Sequence, residues 1–202
     1  MQISMKTNIS KFTKAIDLIG KSQIPYATSR ALNETAKDVR EQILTGTYPR
    51  SFTVRNKKFA KLMFKVDRST KRKLVARVYD SLGRDYMAMQ ESGGTKKPKG
   101  NNLAIPTDQI KRGARGIPKG KRPKALINPG NKSFRQTLPN GQDVILQRRT
   151  KKRYPLKVLY LFEPSVKIKP TFPFYEDGRK VAQKMFNINF KKYFKLAKMT
   201  AK

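Results

Sequence analysis

Residues 134–168 carry two apolar-rich runs, Phe134-Arg135-Gln136-Thr137-Leu138 and Asp143-Val144-Ile145-Leu146-Gln147, joined by Pro139-Asn140-Gly141-Gln142. Asn-Gly tolerates the positive φ of a tight type I′ turn, so 134–138 and 143–148 are predicted to form an antiparallel hairpin. A third strand is predicted over 156–162, Leu156-Lys157-Val158-Leu159-Tyr160-Leu161-Phe162, rich in β-branched and aromatic residues and bounded by Pro155 and Pro164. Between hairpin and strand lie Arg148, Arg149, Lys151, Lys152 and Arg153, a positive belt along one end of a small sheet. Val158 is the expected core position of the central strand.

Upstream of this region, 62–66 and 74–79 read as two more strands, and the polar loop between them carries Lys71, Arg72 and Lys73. Upstream, a helix is expected over about Ser10–Ile19, stopped by Gly20. A stronger one runs from a Ser22 cap to Leu44, with Pro25 in its first turn and Ala27, Ala31, Leu32, Ala36, Val39 and Ile43 along one stripe. Gly46 and Tyr48-Pro49 are expected to end it. Downstream, Pro164, Pro170 and Pro173 impose an extended path. A C-terminal helix over about Tyr175–Lys198 follows, with Glu176 and Asp177 at its start and lysines near its end, as the helix dipole favours. Its inward positions read as Val181, Met185, Ile188 or Asn189, and Phe194.

The predicted fold class is α+β: an antiparallel sheet of four or more strands packed by the long N-terminal helix, with a C-terminal helix and a long basic Gly/Pro-rich loop. We expect one domain over 1–202 with a flexible basic insertion at about 95–131. Within it, Thr95–Lys124 has ten cations, one acid, four glycines and four prolines, with Leu103-Ala104-Ile105-Pro106 as its apolar island. Such a composition buries too little apolar surface to offset its ordering entropy.

The chain has 202 residues, 47 Lys and Arg against 13 Asp and Glu, and a formal net charge of +34. That charge repels itself and attracts a polyanion or an acidic protein surface. No run approaches the roughly 18 apolar residues of a membrane span, and Met1–Lys6 has no apolar signal core, so the expectation is cytoplasmic synthesis with no membrane partner. Histidine and cysteine are absent, which removes Cys-His and Ser-His nucleophiles and the common zinc sites. The acids are scattered, and Gly113, Gly116 and Gly120 do not form a Walker-type phosphate loop. No catalytic residue, cofactor or metal site is therefore expected. The remaining candidate contacts for a polyanion or acidic partner are Lys111, Arg112 and Arg115.

One combination of residues resembles a known family. Ile24-Pro25 opens a small-residue helix containing Arg30-Ala31-Leu32-Asn33-Glu34-Thr35-Ala36; Leu138-Pro139-Asn140-Gly141 and Arg153-Tyr154-Pro155-Leu156-Lys157-Val158 follow, then Pro164-Ser165-Val166. This is similar to the minor tail protein Z family of tailed bacteriophages, over about 23–79 and 134–174. The resemblance implies a structural virion protein, a subunit of a neck or tail-completion ring that joins the tail end to the head connector around the DNA channel. It implies no catalytic residues. The partners would be copies of itself in a sixfold or twelvefold head-to-tail ring, the tail terminator, tail tube and head connector, and packaged DNA through phosphates. In such a ring Leu103, Ile105 and Ile117 would belong to an arm ordered between subunits. The competing reading is a soluble nucleic-acid-binding protein without sequence specificity, for which high charge and a basic arm are equally natural.

Overall fold

In the computed structural model the described residues are 1–6, 23–83, 85–128, 130 and 132–200; the helix expected over Ser10–Ile19 lies outside them. The fold is α+β with several antiparallel sheets and a long C-terminal helix. The chain divides into two compact units, Met1–Ser92 with Pro170–Lys202, and Gly93–Lys169.

The first unit is built on a three-stranded sheet in which β3 (Val75–Asp80) lies between β1 (Gln2–Lys6) and β2 (Phe64–Asp67), both antiparallel to it. β3 alternates as a one-faced strand must, with Ala76, Val78 and Asp80 inward. Helix α1 (Gln23–Gln42) lays Leu32, Ala36 and Val39 on that core, while Ala27 and Ala31 let α1 approach the C-terminal helix closely. α1 does not stop at Gly46. It passes through a π-helical segment, Ile43–Thr47, into one more turn, Tyr48–Ser51. The wider turn takes the Tyr48 N–H to Ile43 O, and Pro49 falls in the first turn of the new segment, where its missing N–H is not needed. Helix α2 (Lys57–Met63), capped by Asn56, absorbs Leu62 and Met63, so the strand expected from 62 begins at Phe64. Helix α3 (Asp85–Ser92) and helix α4 (Phe174–Thr200) complete the unit. Phe64, Phe172, Phe174, Tyr48 and Phe52 form one aromatic cluster, with centroids such as Phe52–Phe172 at 5.2 Å and Phe64–Phe174 at 5.5 Å.

The second unit has a four-stranded antiparallel sheet in the order β5-β8-β7-β6: β5 (Leu103–Pro106), β6 (Ser133–Thr137), β7 (Asp143–Arg148) and β8 (Leu156–Glu163). A two-stranded ribbon, β4 (Gly94–Lys96) with β9 (Val166–Ile168), continues from β5 and β8. The five predicted strands therefore do not share one sheet. Periodicity marks a strand but not its neighbour, and the partners were supplied by segments that read weakly: Gln2–Lys6 in one sheet, the 103–106 island in the other. The long helix α1 covers the three-stranded sheet.

The β6–β7 hairpin is present, but its turn is not type I′. Pro139 follows Leu138, whose carbonyl accepts from Gly141 N–H at 2.9 Å, and Leu138 N–H donates to Gln142 O at 2.8 Å. The proline ring fixes φ negative, so positive φ is confined to Gly141 (+80°), giving a three-residue loop with its left-handed residue last.

The 95–131 stretch does contribute a core, contrary to the expectation from composition. Ile110 and Leu126 are buried with Ile145, Leu159 and Tyr160, and Ile117 packs against them. Val158 is only half-buried, so the centre of this sheet lies at Ile145 and Tyr160.

Candidate polyanion and partner interface

Lys71, Arg72 and Lys73 sit exposed in the β2–β3 loop, and that loop is stapled to α1. Ser69 is buried, its N–H donates to Asn33 Oδ1 at 2.7 Å, its carbonyl accepts from Asn33 Nδ2 and Ser29 Oγ at 3.1 Å, and the two serine hydroxyls meet at 3.0 Å. Thr70 N–H donates to Lys73 O at 2.9 Å and Lys73 N–H to Thr70 Oγ1 at 3.0 Å, which closes the turn. Lys71 Nζ then lies 5.2 Å from the Tyr26 ring centroid.

The same end of the first unit collects Arg30 and lysines from the end of the C-terminal helix, which lie outside the eleven candidate contacts. α1 and α4 run antiparallel, with Ala27 and Ala31 against Tyr193 and Ala197. Arg30 and Lys192 both lie over the Tyr193 ring, at 5.3 and 5.4 Å, and Lys198 lies over Phe194 at 4.8 Å. Glu34 is the acid among them. A hydrogen bond from Lys37 holds its carboxyl below the usual carboxylate range, and the Lys37 and Lys192 charges add to this.

In the second unit Arg148, Arg149, Lys151, Lys152 and Arg153 occupy the end of β7 and the loop to β8, all exposed. Arg148 stacks over Phe134 at 5.0 Å and Arg153 over the exposed Tyr154 at 5.7 Å. Lys111, Arg112 and Arg115 are exposed on the loop after Ile110. Arg112 is joined by Arg122, since both charges act on the Tyr160 hydroxyl, whose ionisation burial pushes up and whose proton is donated to Lys121 O at 2.8 Å. Arg122 is separated from Arg112 by a Gly/Pro run, so linear spacing gave no sign of this proximity. The eleven candidate cations thus lie on three stretches of chain, one in the first unit and two in the second, and one pocket of the second unit is lined by both Thr107–Gln109 and Arg149.

Internal neutralisation is scarce. The described ion pairs are Lys37–Glu34, Arg50–Asp177, Arg135–Asp143 and Lys180–Glu176. None of the eleven candidate cations takes part in one among the described residues. The second unit holds twenty Lys and Arg against three acids, Asp108, Asp143 and Glu163, and two of those acids are engaged: Arg135 binds Asp143, and Gln142 Nε2 donates to Glu163 at 2.7 Å. Exposed, unneutralised guanidinium and ammonium groups on fixed loops present phosphate- or carboxylate-binding donors to a partner.

Leu103, Ile105 and Ile117 do not extend from the fold as an arm: the first two lie in β5, and Ile117 packs on the core of the second unit. Among the described residues no group of three or more acids is placed to hold a metal ion, and no helix is long and apolar enough to cross a membrane. Comparison of the chain with protein-family models, curated proteins and solved structures finds no match.

Proposed function

We propose that the chain is a structural virion protein of a tailed bacteriophage, a neck or tail-completion ring subunit that joins the tail end to the head connector around the DNA channel. The observation that carries this reading is the set of exposed cations on ordered loops, none of which forms an ion pair with a carboxylate among the described residues. A protein so charged works against an external negative surface, either acidic neighbouring rings or packaged DNA. The residues of the resemblance support it further, because they fall on structural positions: the small-residue face of α1, the β6–β7 turn, the entry to β8 and the step from β8 to β9. In this reading protein interfaces take most of the charge, and a lumen-facing minority meets DNA phosphates.

A second reading, a nucleic-acid-binding protein without sequence specificity, is favoured by one observation. Tyr154 is 62% exposed beside Arg153, an arrangement that stacks on unpaired bases. The readings separate in a single comparison. Replacing Arg148, Arg149, Lys151, Lys152 and Arg153 by glutamine should block tail completion while leaving the weak, salt-sensitive duplex binding of the isolated subunit only modestly reduced. Normal tail completion by that variant, together with loss of nucleic-acid binding, supports the second reading and overturns the first.

A further inference from the structure

β5 is an edge strand, and its outer side opens into a groove of about 520 Å³. The groove is lined along the whole of β5, Leu103–Pro106, and elsewhere by Ile117, Val166, Lys96 and Arg112. Which backbone groups face it follows from the ladder. Thr107 N–H donates to Leu159 O at 3.0 Å, continuing the antiparallel pairing of Ile105 with Leu161. Alternation along the ladder then points the backbone N–H and C=O of Leu103 and Ile105 toward β8 and leaves the N–H and C=O of Ala104 and the C=O of Pro106 facing outward. Proline at 106 fits this assignment, because its missing N–H falls on the open side of an edge strand. Among the described residues nothing hydrogen-bonds to that outer edge.

The far wall of the groove is fixed in advance. Gly113 and Gly116 exchange two backbone hydrogen bonds of 2.9 Å, Gly116 adopts φ +84°, and Ile117 anchors the loop to the buried cluster of Ile145 and Tyr160. Lys96 and Arg112 are exposed at the groove and take part in none of the described ion pairs. An open backbone edge beside a preformed apolar trough is what strand addition uses: main-chain bonds supply affinity, and alternate side chains enter the trough.

We propose that this groove receives an extended acidic segment of another protein, which adds to β5 as a fifth strand with apolar residues toward Ile117 and Val166 and carboxylates toward Lys96 and Arg112. Charge selects the occupant. The groove belongs to a unit with twenty cations and three acids, and the chain's own strands β1–β9 offer at most one acid each, so a second copy of this chain is a poor complement. The lining is aliphatic and holds no aromatic ring on which bases would stack. The inference does not depend on the neck reading, since it concerns the chemistry of the groove and not the assembly that supplies the segment. Leu103, Ile105 and Ile117, expected in an arm ordered between subunits, all line this groove.

The test uses the full-length protein and a fluorescent eight-residue peptide alternating valine with aspartate or glutamate. Two isomers are N-methylated on opposite edges, a third replaces the acids by lysine, and an eight-nucleotide oligo-dT is the nucleic-acid probe. The acidic peptide should bind; methylation of one edge should weaken it at least about tenfold while the other edge is tolerated, because a strand pairs through one edge at a time. Ala104→Pro, which removes an outward N–H and keeps the inner ladder, should weaken binding similarly with the thermal midpoint retained. Lys96→Gln with Arg112→Gln should reduce both affinity and its salt dependence. Equal binding by both methylated isomers would overturn strand addition whatever the variants do. Preferential binding of oligo-dT, competed by the peptide, would assign the groove to nucleic acid, and concentration-dependent self-association abolished by Ala104→Pro would assign it to a second copy; either result contradicts the proposal.

Discussion

Asn189 of α4 donates through Nδ2 to Asp38 Oδ2 at 2.8 Å and to Thr35 Oγ1 at 3.1 Å, both on α1, forming a polar lock within the seam between the two longest helices. Asn189 is 5% exposed and its neighbour Ile188 is 53% exposed. Helical spacing allowed either residue to face inward, and the lock resolves the choice in favour of the polar one. Asn189→Ala leaves a carboxylate and a hydroxyl without their donor in the seam, so it should cost about 1–3 kcal/mol in urea unfolding. Ile188→Ala should stay within about 0.5 kcal/mol of the parent. Reversal of that order would put the wrong face of α4 against α1.

Gly178, in the first turns of α4, lies where a Cβ would overlap Ile3 Cδ1 of β1 and come within 3.4 Å of Val39 Cγ1 of α1. Three elements meet at one residue without a side chain. Gly178→Val should overpack the site by about 1–3 kcal/mol despite replacing a helical glycine. Ile3→Ala should recover part of that loss in the double variant, since the two sites share the same space. Strict additivity in a thermal-melt cycle would show that the contact is not the cause.

Glu91, at the end of α3, caps α4 from outside it: its Oε2 and Oε1 accept from Phe174 N–H and Tyr175 N–H, both at 3.0 Å. Burial pushes the carboxyl above its ordinary value of about 4.5, against those two hydrogen bonds, and Asp177 raises it further. An acid with a higher pKa folded than unfolded binds more protons in the folded state. Its contribution to stability is therefore full below about pH 4.5 and is lost as pH rises through the elevated value. Measured against Glu91→Gln, the parent should lose stability over that acidic window and run parallel to the variant above it. A parent that gains stability on Glu91 over the same rise contradicts the sign.

Ser29, Asn33 and Ser69 hold the loop that carries Lys71, Arg72 and Lys73. Asn33→Ala removes both hydrogen bonds to the Ser69 backbone and should cost about 1–2 kcal/mol. Amide exchange at Thr70 and Lys73 should quicken more than at Val78 in the centre of the sheet. Uniform acceleration across the unit would mean that the loop is not a separately held element.

Local chemistry was legible in the sequence and pairing was not. The strand at 143–148, the long α1 and α4, and the Pro139–Gln142 turn were visible because alternation, helical spacing and Asn-Gly act within a few residues. The turn type was missed because Asn140-Gly141 was weighed without the φ restriction of Pro139. Leu103–Pro106 has four apolar residues inside a cationic stretch, and it becomes a strand through β8, a partner more than fifty residues away. The Ser69 staple and the grouping of Arg112 with Arg122 likewise arise from contacts that no linear pattern encodes. The candidate cations already stood as three stretches of sequence, and the fold adds that each is exposed on a loop or strand end.

The most direct test of the neck reading is quantitative mass spectrometry of purified phage particles from a host carrying the corresponding prophage or infection, with the copy number of this chain referred to the major tail protein. The account predicts that the chain co-purifies with intact tails at six or twelve copies per particle and stays there after nuclease and high-salt washing. Absence from particles, with the protein recovered on host nucleic acid and released by salt, would contradict it.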